Sequence, residues 1–89
     1  LVAHLAQLDE YANHAQMASK LQESIKQTRA AVVRARAQHR TANTEMENAY
    51  EAGFDTAKLK ADVAEKKKNV DQLQSRLQEM QFELGSLQL

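Results

Sequence analysis

The side chains able to do chemistry in this chain are few and far apart. His4, His14 and His39 are its imidazoles, and it has no cysteine. Glu10 and His14 stand four residues apart, which puts one carboxylate and one imidazole on a shared helix face. A metal centre needs three or four convergent ligands, so that pair falls short of one. No HExxH, no glycine-rich phosphate loop and no nucleophile paired with a base is present. The lack of cysteine also removes disulfides, thiolate nucleophiles and sulfur-ligated zinc, and it leaves the compartment open. The expectation is a non-enzymatic chain with no catalytic residues, no metal and no cofactor.

The remaining polar residues of interest are charges. Lys26, Arg29, Arg34, Arg36 and Arg40 follow one another with no acidic residue among them, and Lys66, Lys67 and Lys68 form a second run. Such runs could bind phosphates, RNA or an acidic partner. No aromatic residue interleaves with them to stack a base, and the formal net charge of the chain is zero, so nucleic acid is disfavoured. Read along the sequence, these cations scatter around a helix rather than forming one stripe. Glu65, Asp71 and Glu79 are expected to neutralise several of them. Glu45, Glu47, Glu51 and Asp55 make a short acidic region, either ordinary solubilising charge or the rim of a docking point. His39 and Lys66 interrupt otherwise apolar stripes. They are either register-setting polar residues, with Lys66 snorkelling to water, or, for His39, a pH switch.

The elements that must carry these residues are helices. Hydrophobic residues are 43 % of the chain, but many are alanine and only 4 % of the residues are aromatic, so a thick core is beyond its means. Apolar or small residues fall at Ala18, Leu21, Ile25, Thr28, Val32, Ala35, His39, Ala42, Met46, Ala49 and Gly53, in alternating steps of three and four. A second seam of the same rhythm runs through Leu59, Val63, Lys66, Val70, Leu73, Leu77, Met80, Leu84 and Leu87. This is the heptad pattern of coiled coils. The chain contains no proline, and its only glycines are Gly53 and Gly85. Gly53 suits the left-handed residue that ends a helix, Phe54 the apolar residue that packs back on the last turn, and Asp55 the N-cap of a following helix.

The expected fold is all-α: a long antiparallel two-helix coiled-coil hairpin forming one domain. Helix one covers about residues 1–52, the turn 53–55, and helix two about 56–89. Positions summing to about 108 should face each other, setting Ala49 near Leu59, Met46 near Val63, Ala35 near Leu73 and Leu21 near Leu87, with small residues opposite large ones. Helix one, about 78 Å long at 1.5 Å per residue, outruns helix two at about 51 Å. Its first seventeen or so residues overhang and carry Leu1, Leu5, Leu8, Ala12 and Ala15, a stripe that either is covered by a second copy or another part of a larger protein or frays in solution. The seam slips phase between Ala15 and Leu21, and a break near Asn13-His14 is a further option. One continuous helix through Gly53, paired with another chain, is the competing fold.

These features point to a structural or protein–protein interaction module that docks partners through its tip or its overhanging seam, with a protein partner or a homo-oligomer as the expected association. A nucleic-acid-binding arm is a further alternative. The run Tyr50-Glu51-Ala52-Gly53-Phe54-Asp55 followed by an unbroken heptad is similar in layout to the hairpin tips of periplasmic adaptor proteins of tripartite pumps and type I secretion. Stalk hairpins of flagellar and type III export share that layout. The resemblance implies a secretion or transport role. It does not extend to the Arg and Leu pattern of some adaptor tips, since the nearest upstream arginine is Arg40. No apolar run approaches the roughly 20 residues needed to cross a bilayer.

Overall fold

The computed structural model describes the backbone of residues 2–88 and the side chains of residue 10 and residues 12–88. The chain is two α-helices, α1 (Val2–Glu51) and α2 (Ala57–Gln88), packed side by side in opposite directions. No strand occurs among the described residues, and the rod measures 77 × 16 × 15 Å. That length is set by α1 alone, whose 50 residues span about 75 Å. α1 runs without interruption through Asn13, His14 and the phase slip before Leu21, so the break considered there does not occur.

The turn is built by backbone hydrogen bonding. The N–H of Phe54 donates to the carbonyl of Ala49 (3.0 Å), and that of Gly53 donates to the carbonyl of Tyr50 (3.1 Å). These two bonds are the pair that defines a Schellman closure, and they satisfy two of the carbonyls that a helix end leaves without partners. Gly53 makes the closure possible at φ +82°, the one positive φ among the described residues. An added Cβ there would meet nothing within 4 Å, so what bars other residues is local backbone strain rather than crowding.

Two expectations at the turn need correction. Phe54 does not pack back on the last turn of α1: the residue is 71 % exposed. The residue it would have to cover is Ala49, whose methyl group offers a ring little surface. Asp55 stands one position before the N-cap. The carbonyl of Thr56 accepts the first bond of α2, from the N–H of Lys60 (2.8 Å), so Thr56 is the cap residue by position. Asp55 nonetheless does part of the capping, because its Oδ1 accepts from the N–H of Ala57 at 3.0 Å. The two helices accordingly end and begin one residue further from the turn than expected.

Burial follows the seam positions of both helices. Ile25, Val32, Ala35 and Ala42 of α1 and Val70 and Met80 of α2 are buried. Leu21, Met46, Leu59, Val63, Leu73, Leu77, Leu84 and Leu87 are half-buried, and only Gly53 of the two seams is exposed. Of the seam alanines of α1, Ala35 and Ala42 are buried and Ala18 and Ala49 half-buried, while the leucines of α2 keep one side open to water. Ile25 and Leu84 line one groove together with Gln22 and Gln88, pairs that sum to 109 and 110.

The two glycines predict opposite responses to the same substitution. Gly53→Ala should lower stability by about 1 kcal/mol through the left-handed strain. Gly85→Ala, in helical backbone with open space around it, should raise stability by about 0.5–1 kcal/mol. Urea unfolding followed by circular dichroism measures both, and equal shifts of the two midpoints would contradict this account of the turn.

Candidate docking surfaces

Three places on the rod combine exposure with unusual side chains. At the tip, Tyr50 and Phe54 are 69 % and 71 % exposed on either side of the locked turn. Glu47, Glu51 and Asp55 are exposed around them. α1 has no basic residue in its last turn, so Glu51 opposes the helix dipole as expected. Asn43 donates from its side-chain amide to Glu47 (3.1 Å), which ties one of these carboxylates to the rod. The tip is thus a hydrogen-bonded turn with two exposed aromatic rings, near Glu47, Glu51 and Asp55 on one side and Lys58 and Lys60 on the other.

The second place is the polar interruption of the seams. His39 and Lys66 are both half-buried. Lys66 lies in a shallow groove with Gln38, Thr41, Ala42, Glu45 and Asp62, and its Nζ pairs with the Asp62 carboxylate one turn away at 3.4 Å. The ammonium has therefore snorkelled to the edge of the seam. Both partners keep more than a third of their surface in water, so the pair stabilises the hairpin little. The two residues fit register setting.

The third place is the basic stretch of α1, and here the sequence reading needs correction. On one unbroken helix Lys26, Arg29, Val33, Arg36 and Arg40 follow each other in steps of three, four, three and four, which lays them along a single flank beside the seam. Arg34 alone lies off it. All five side chains are exposed, Val33 by 63 %. Lys26 and Arg29 line the groove shared with Leu84 and Gly85. With the Gln74 amide oxygen turned toward it, Arg36 donates to Gln74 through both Nε (3.2 Å) and Nη2.

Neutralisation by Glu65, Asp71 and Glu79 is not what the structure shows either. The one ion pair among the described residues is that of Lys66 and Asp62. Asp71 and Glu79 share an outer surface of α2 with Lys68 and Arg76. The sequence carried the signal for this stripe, but only as alternating spacing within the charged residues, which the apolar pattern overshadowed.

At the overhang, Ala12, Ala15 and Met17 are exposed, and burial begins at Ala18. The proposed contact residues Leu1, Leu5 and Leu8 lie outside the residues whose side chains are described. Among the described residues no group of three or more His, Asp or Glu could hold a metal ion, and no helix is long and apolar enough to cross a membrane.

No protein-family model, no characterised protein and no solved structure matches the chain. The functional reading therefore rests on geometry. For the seam, replacing His39 with leucine should stabilise the hairpin by about 1 kcal/mol, because an apolar side chain then fills a half-buried seam position. Thermal unfolding of His39→Leu checks this, and a lower melting temperature would give His39 a contact that the register role does not supply.

Proposed function

We propose that this chain is a non-enzymatic coiled-coil hairpin that docks a protein partner through its tip. The observation that supports this reading is the exposure of Tyr50 and Phe54 on a turn fixed by two backbone hydrogen bonds and one side-chain cap. Exposed rings cost solubility and contribute nothing to a seam they do not enter. Aromatic residues are also the side chains that most often dominate binding energy at protein interfaces. Rigidity adds to this, because a turn already held in one conformation loses little entropy on binding. The carboxylates on one side favour a partner with a basic patch beside an apolar pocket.

A hairpin serving a secretion or efflux machine is the more specific form of the same reading. Its support is a rod 77 Å long with its docking group at one end. The sequence on either side of the chain decides it: halves resembling a lipoyl domain indicate an adaptor, and a continuing heptad indicates a filament-type coiled coil.

A photo-crosslinking phenylalanine at position 54, with the same residue at Phe82 as the control, tests the tip. Phe82 is 79 % exposed on the outer side of α2, so it reports what bare aromatic exposure captures. The reading predicts a discrete adduct at position 54 and none at position 82 in an extract of the source cells. Unlabelled chain should compete the adduct away, while Phe54→Ala should compete about 30-fold less well, the loss of a 2 kcal/mol hot spot. Equal adducts at both positions, or equal competition by Phe54→Ala, would make the tip merely architectural.

A further inference from the structure

We infer that the flank of α1 carrying Lys26, Arg29, Arg36 and Arg40 is a second docking surface, built to receive an acidic amphipathic helix laid along the groove between α1 and α2. This does not depend on the tip, which lies at the end of the rod.

The first argument is what the flank lacks. In an antiparallel hairpin, residues beside one seam are normally matched in charge by residues beside the other. Opposite this flank, the corresponding stripe of α2 runs through Lys67, Asp71, Gln74, Gln78, Gln81, Gly85 and Gln88, and its one acid, Asp71, lines an outer surface with Lys68 and Arg76. The chain has as many acidic as basic residues, so neutral composition conceals a one-sided distribution. Arg36 meets only the neutral amide of Gln74. None of the four cations has a carboxylate within 4.0 Å among the described residues. Three of them are arginine, whose planar fork matches a carboxylate with two parallel hydrogen bonds.

The second argument is the floor. The groove that Lys26 and Arg29 line has a volume of ≈ 430 Å³ and shares Ile25, Leu84 and Gly85 among its lining residues, while Arg40 lines a separate hollow of α1 with Glu45. Gly85 sits within α2 without positive φ, and a Cβ there would meet nothing within 4 Å. Gly85 stands in the last turn of α2, where glycine costs less than the about 1 kcal/mol of a helix interior, and no neighbour in the chain crowds the position. A glycine there leaves room for a second backbone to approach closely. The exposed Val33 adds an apolar contact midway along the stripe.

Charge and shape together define the occupant. Arg29 and Arg36 are one heptad apart, about 10.5 Å along α1, so a helix bearing Glu at every seventh position beside an apolar stripe meets both. A phosphate backbone would satisfy the arginines but leave the apolar floor uncovered, and the stripe has no ring on which a base could stack.

The test uses the full chain and a synthetic, fluorescein-labelled amphipathic helix of about 28 residues, long enough to hold helical form on binding, with Leu along one stripe and Glu at flanking heptad positions. Fluorescence anisotropy in about 50 mM salt, where exposed charges are weakly screened, should show saturable binding. The double variant Arg29→Glu/Arg36→Glu should weaken it by about tenfold or more, and Gly85→Leu, which fills the groove, by about fivefold. Lys20→Glu/Arg34→Glu changes net charge equally but on the opposite flank, so it should cost about twofold or less. All these positions are exposed, so the hairpin persists, as circular dichroism verifies. Phe54→Ala should leave this binding unchanged, which separates a failure here from a failure of the tip reading.

The inference is overturned if the peptide does not bind at about 200 µM, a weak-affinity limit. Equal loss with Lys20→Glu/Arg34→Glu overturns it as well. So does tighter binding of a polyuridine oligonucleotide, which would make the flank a nucleic-acid surface. Self-association abolished by Arg29→Glu/Arg36→Glu would assign the flank to a second copy and overturn it too.

Discussion

The left-handed backbone step at Gly53 is the constraint from which the rest of the structure follows. It is the one position where the chain reverses, and two backbone bonds hold it there: Phe54 to Ala49 and Gly53 to Tyr50. A reversal at residue 53 fixes which residues of α2 meet which of α1. It thereby sets Ile25 with Leu84 and Arg36 with Gln74. It also makes α1 outrun α2, because α1 has 50 residues and α2 only 32. A turn moved by one residue would rotate each seam position away from its partner by about 100° around the helix.

A rod two helices wide can bury only one side of each helix. Among the described residues the buried apolar set is accordingly small: Ile25, Val32, Ala35, Ala42, Val70 and Met80. Each larger member contributes about 1.5–3 kcal/mol by leaving water, an upper value because the unfolded chain already buries some surface. The half-buried leucines of α2 keep one face open. Such a hairpin is stabilised further when something covers that face. Exposed surfaces, rather than pockets, are therefore where this architecture has room for recognition, as the rings of the tip and the flank arginines without a carboxylate partner illustrate.

Much of the fold was legible in the residues because one signal, apolar spacing, dominates a two-helix rod. Every seam position from Ala18 to Leu87 is at least half-buried except Gly53, which lies in the turn. Glycine followed by Phe-Asp-Thr marked a stop and a start because those residues have distinct backbone and capping chemistry. What it did not settle was side-chain direction at single positions. Phe54 faces water because its would-be partner is only Ala49, and Asp55 caps from one residue further out because Thr56 supplies the first carbonyl. The basic flank was missed because charge runs read in sequence order hide a helical stripe. Lys26, Arg29, Arg36 and Arg40 become one surface only when they are placed at helical spacing with Val33 between them, rather than read as a run.

Distance measurement between two spin labels tests the account most directly, because both docking surfaces presuppose that the chain folds back on itself in solution. Labels at Ala30 and Gln78, both exposed and level with one another on the two helices, suit double electron–electron resonance in a sample diluted with unlabelled chain. Helices packed about 8–10 Å apart predict a separation of about 20–30 Å once label linkers are included. A helix running straight through Gly53 would instead separate the same labels by about 72 Å, and that result would contradict the hairpin.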